Sequence, residues 1–171
     1  MIEKETDLLG IPIPSDNKVF IVIVIIHIAL ALTCLICGFV AMLSNKNSRR
    51  HSLAGKLYFW FILFVFITVI PLALMRWPHN NDLFAIGIFA FAFAFIGRRY
   101  AWTHGRNWAR FHTICMSASY ILLLTGFYID NGKNLPLWKE LPQFIMWIFP
   151  SVIGIPIVLY VLRKHPLNKI R

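Results

Sequence analysis

Acidic side chains are scarce in this chain, and none falls inside its long apolar runs. The 171 residues hold 7 Asp and Glu against 17 Lys and Arg. Proton relays, cation-coupled transport and carboxylate-ligated metals usually need acids within the membrane, so this absence weighs against those classes. Cysteine is equally sparse: Cys34, Cys37 and Cys115 all lie in apolar runs. An odd number of thiols in a low-dielectric setting reads as small hydrophobes, and Cys34-Leu-Ile-Cys37 is weighed against a redox or zinc motif on that ground. Residues 1–18 lack the basic region of a secretory signal, and no small-x-small cleavage site follows the first apolar run, which is therefore read as a retained span. No internal repeat is visible.

What the chain does have is apolar length. It is 58% hydrophobic and 15% aromatic with a mean hydropathy of +0.68, which excludes an ordinary soluble domain. Apolar runs cover 20–43, 57–75, 83–101, 109–129 and 144–162. At ~1.5 Å per residue, ~20 residues cross a ~30 Å hydrocarbon layer. The expectation is an all-α polytopic bundle of five transmembrane helices over 20–163. A polar tail (1–19) precedes it and a basic tail (164–171) follows. An odd number of spans argues against a simple inverted-repeat transporter.

Charge sets the orientation. Lys46, Arg49, Arg50 and Lys56 lie between the first two runs, Arg98, Arg99, Arg106 and Arg110 between the third and fourth, and Arg163, Lys164, Lys169 and Arg171 after the last. Every acid, namely Glu3, Glu5, Asp7, Asp16, Asp82, Asp130 and Glu140, lies in the alternate segments. Basic segments stay in the cytoplasm. The N-terminus is therefore expected outside and the C-terminus inside a bacterial cytoplasmic (inner) membrane. The net charge of +10 is assigned to anionic lipid headgroups at the cytoplasmic face rather than to nucleic acid. A membrane-protein partner or a second copy of the chain remains open. Trp77, Trp102, Trp108, Trp138, Tyr58 and Tyr128 fall near span ends and read as an aromatic belt.

Two spans carry unusual patterns. The third alternates Phe and Ala from Phe89 to Phe95, which imitates a strand, but a lone strand in lipid would leave its backbone unpaired. A helix packed through its alanines is expected. Pro150, Gly154 and Pro156 suggest a kinked fifth helix, which in some transporters opens backbone carbonyls to a ligand.

Histidine carries what chemistry remains. His27 lies ~10 Å below the outer end of the first span. Burying it is costly unless it faces the bundle and finds a partner, for which Tyr120 is one candidate. Ala31, Cys34 and Gly38 form a narrow stripe beneath it. His51 and His112 begin the second and fourth spans at one depth. Two helical histidines at a common level are the minimum for the axial ligands of a b-type haem; the competing reading is an interfacial pair that caps helices or meets phosphate headgroups. His104 can substitute for either, whereas His79 and His165 read as solvated. Met116 and Tyr120 share the polar face of the fourth span with His112, Cys115 and Ser119. The candidate cofactor contacts are therefore His51, His112, His27, Tyr120 and Met116, with His51 and His112 as the candidate iron ligands.

The strings Arg50-His51-Ser-Leu-Ala-Gly55-Lys56-Leu-Tyr58 and Phe111-His112-x3-Met116-x2-Ser119-Tyr120 continue through Thr125-Gly-Phe127 to Leu135-Pro136-Leu137-Trp138 and Pro150-Ser-Val-Ile-Gly154-Ile-Pro156. Together they resemble a family of uncharacterised bacterial multi-pass membrane proteins, classed as a domain of unknown function, over about residues 20–160. The resemblance implies histidine at the positions of His27, His51 and His112 and brings no activity with it. A weaker likeness, to small b-type cytochromes, rests only on helical histidines near span ends. Three functions follow as expectations: a haem- or quinone-linked redox component, a non-catalytic assembly or sensing partner of a membrane complex, and a small-solute transporter. Whether the chain is an enzyme is left open.

Overall fold

The computed structural model describes residues 6–8, 11–13, 17–136 and 138–164. Five long helices, α1 (Lys18–Leu43), α2 (Arg49–Met75), α3 (Asn81–Thr103), α4 (Trp108–Asn131) and α5 (Gln143–Lys164), form an all-α bundle. All five are long and apolar enough to cross a membrane. A short antiparallel ladder pairs β1 (Thr6–Leu8) with β2 (Ile11–Ile13) in the N-terminal tail. The remainder of that tail, and the basic tail from residue 165 onward with His165, lie outside the described residues.

The helix starts follow from capping chemistry. Asn17 Oδ1 accepts the Val19 N–H at 2.9 Å, and Ser48 Oγ accepts the His51 N–H at 3.2 Å. Each satisfies one of the orphan donors at a helix N-terminus. Because Ser48 starts α2 at Arg49, that helix begins eight residues before the apolar run at residue 57. His51 thus sits in its first turn and Tyr58 in its third. Tyr58 is not part of an aromatic belt: it is 2% exposed and among the most buried side chains of the bundle.

Successive helices pack side by side, α4 also touches α1, and α5 packs chiefly on α4. The core lies among α1–α4 and includes Cys34, Tyr58, Ile62, Ala90, Ala94 and Leu123. The Phe–Ala run is helical as expected. Ala90 and Ala94 are buried, Phe91 stacks on Phe66 at 5.6 Å, and Phe89 and Phe95 face outward. Helix α5 runs unbroken through Pro150 and Pro156. The α3–α4 turn is set by His104 and Asn107, both in the left-handed region (φ 46° and 61°), a conformation that Asn and His visit more readily than most residues.

Candidate functional site

At the end of the bundle where α1 and α3 finish and α2 and α4 begin, His51 and His112 meet. Their ring centroids are 6.3 Å apart, with the planes at 82°. Each ring is held by a backbone carbonyl on a neighbouring helix. His51 Nδ1 lies 2.8 Å from the Ala41 oxygen of α1, and His112 Nδ1 lies 2.8 Å from the Gly97 oxygen of α3. A carbonyl only accepts, so Nδ1 carries the proton in both rings. In the neutral imidazole Nε2 is then the lone-pair atom. Two half-buried imidazoles are thereby fixed in one tautomer, each with a ligating nitrogen available. Histidine ligands of metals are oriented in this way, by a bond from the other ring nitrogen.

The surroundings of the pair are basic and partly apolar. Lys46 Nζ caps the end of α1 through the Met42 oxygen at 2.7 Å and the Ala41 oxygen at 3.3 Å. Partial burial holds its ammonium below the usual lysine pKa. The Arg98 guanidinium lies over the Phe59 and Trp102 rings at 4.3 and 4.7 Å. Gly55, one turn from His51 on the same helix face, has open space where a Cβ would stand. Met116, one turn from His112, is packed on the α3 backbone. A Cβ at Gly97 would lie 2.9 Å from its sulfur, so Met116 is a packing residue rather than a third group facing the ring pair.

Tyr120 does not bond His27. Its hydroxyl donates to the Leu35 oxygen at 3.2 Å, and its ring fills the space left by Gly38. The small-residue stripe therefore admits a tyrosine from α4. Cys34 in that stripe is a free, fully buried thiol whose Sγ lies 3.7 Å from the Tyr58 oxygen, and Tyr58 Oη bonds Ser119 Oγ at 2.7 Å. His104 is exposed beside Trp108 and stands apart from the pair, and His79 is exposed in its loop. Among the described residues, no three His, Cys, Asp or Glu side chains gather as a metal site.

His27 does face the bundle, and its partner is Thr68 on α2, with Nδ1 to Oγ1 at 2.8 Å. The Thr68 hydroxyl donates its one proton to α2 carbonyls, to Val65 at 2.8 Å and Phe64 at 3.1 Å. With its proton on those carbonyls it accepts from His27, and Nε2 is then the acceptor. His27 lines a cleft between α1, α2, α3 and α4, together with Asp130 and Asn131. Sequence reasoning placed Asp130 beyond the fourth span; it sits instead in the last turn of α4, exposed at the cleft mouth. Thr68 was legible as level with His27. The roles of the Ala41 and Gly97 carbonyls were not, because a backbone oxygen leaves no residue-type signal.

Compared with known proteins, the chain matches no family model, no curated protein and no solved structure.

Proposed function

We propose that this chain is a haem-linked redox component of a bacterial cytoplasmic membrane, with His51 and His112 as the residues that would hold the iron. The observation that carries the reading is the pair itself: two imidazoles 6.3 Å apart, each tethered through Nδ1 so that Nε2 can ligate. The two rings are close enough for one group to take a nitrogen from each. The donor set also favours a macrocycle. Two protein nitrogens are too few for a zinc or non-haem iron centre, whereas haem needs only axial ligands from the protein. Haem would supply one-electron chemistry at this position. Here the Ala41 and Gly97 carbonyls hold the rings against rotation, and Lys46 and Arg98 provide cations at the same end for acidic substituents. In its neutral form each ring offers an acceptor nitrogen, which suits an iron better than a phosphate headgroup.

The test is the absorption spectrum of gently purified protein, before and after incubation with haem b. A Soret band that shifts on reduction is expected for wild type and for His27→Leu. It should be lost or converted to a different ligation state in His51→Leu and in His112→Leu. Wild-type protein that shows no Soret band and takes up no haem would remove the redox reading and leave the assembly-partner one.

A further inference from the structure

We propose that the cleft between the outer halves of α1 and α4 is a second ligand site, which takes a quinol dissolved in the membrane. The ligand would be an uncharged single ring with hydroxyl donors on an apolar tail. The site lies at the opposite end of the bundle from the histidine pair, and ligand binding there does not depend on haem.

The shape comes first. Helices α1 and α4 meet where Tyr120 reaches Leu35 and Gly38. Outward of that contact both helices line the cleft, whose floor is formed by α2 and α3. Gly126 on α4 keeps it wide: a Cβ there would meet only an Ile86 methyl, at 3.6 Å. The interior volume is about 110 Å³. Apolar cavities of ~150 Å³ hold a benzene ring, so a single ring is the scale of group that a small widening of this open cleft would seat. A bulky headgroup would not fit.

Charge narrows the class. Among the described residues no Lys or Arg lines the cleft, and the one charged side chain on it is Asp130 at the mouth. Arg76 lies close enough to act on that carboxylate by charge, so a phosphate or carboxylate headgroup would have to compete with Asp130 for it. The polar group set into the apolar wall is His27, and with the Thr68 proton held by the Val65 oxygen its Nε2 is an acceptor. An acceptor in a dry wall selects a ligand that donates. A hydroquinone hydroxyl supplies that proton, and the oxidised quinone, which carries only carbonyl oxygens, does not. The reduced form should therefore bind more tightly than the oxidised one, and its tail would leave between α1 and α4 into lipid.

The test uses the full chain in nanodiscs of zwitterionic lipid, with a tritiated short-chain benzoquinol held reduced and empty discs as the blank. One saturable site per chain is expected. The matching quinone and the quinol dimethyl ether should compete about 3- to 10-fold less well, the scale of one net hydrogen bond. His27→Leu should weaken binding by at least a similar factor, and Gly126→Leu should abolish it by filling the cleft. His27→Gln, whose amide can still bond Thr68, should stay folded by circular dichroism and bind more weakly than wild type. Uptake equal to that of empty discs would overturn the proposal, as would wild-type binding in both His27→Gln and Gly126→Leu. Competition by dioleoylglycerol as strong as by the quinol would assign the cleft to a neutral lipid hydroxyl instead. Each of these results stands whether or not the protein shows a Soret band.

Discussion

Two pairs of polar side chains, His27 with Thr68 and Tyr58 with Ser119, join different helices of this bundle by one hydrogen bond each. Tyr58 and Ser119 illustrate the cost of breaking one, since the tyrosine is 2% exposed and the serine 0%. Ser119→Ala should leave the Tyr58 hydroxyl unpaired and destabilise the protein by about 1–3 kcal/mol. Adding Tyr58→Phe should recover part of that loss, because an apolar pair leaves nothing orphaned. A double-mutant cycle of unfolding in mixed micelles measures both, and a Ser119→Ala variant as stable as wild type would show that the hydroxyl finds another partner. At this scale the sequence was informative about which residues matter and poor about what they touch. His51 and His112 were legible because each opens a span at one depth. Tyr58 was misread because hydropathy places the start of α2 at residue 57, whereas the Ser48 cap places it at Arg49. Tyr120 was offered to His27, but the gap at Gly38 draws its ring toward the opposite end of the bundle.

Among the elements, α5 is the least embedded. It rests on α4, and most of its large apolar side chains face outward. One close contact locates the seam: a Cβ at Gly154 would lie 2.5 Å from Ile121 Cδ1. Gly154→Leu should push α5 away from α4 at a cost of about 1–3 kcal/mol, the usual penalty for overpacking, while α1–α4 keep their core. The exposed Lys133 and Lys139 flank the connection between the two helices. Trypsin should therefore cut that connection faster in the variant, and an unchanged cleavage rate would argue against the seam. The five helices were readable from apolar length alone, since lipid demands ~20 residues per crossing. The cleft was not readable, because it depends on where α1 and α4 part company, and no local pattern records that.

For the whole molecule, the division of Lys and Arg remains the guide to orientation. With the C-terminus inside, a C-terminal green fluorescent protein fusion should glow and an alkaline phosphatase fusion should be inactive; the reverse result would invert both proposed sites relative to the cell. Between those sites lies the layer formed by Cys34, Tyr58, Ile62, Ala94 and Ser119, each at 2% exposure or less. Side chains packed this closely leave no path for a chain of water molecules, so the layer is also an electrical insulator. Any charge moved through it would work against the membrane potential, worth about 2.3 kcal/mol per elementary charge per 100 mV across the full membrane.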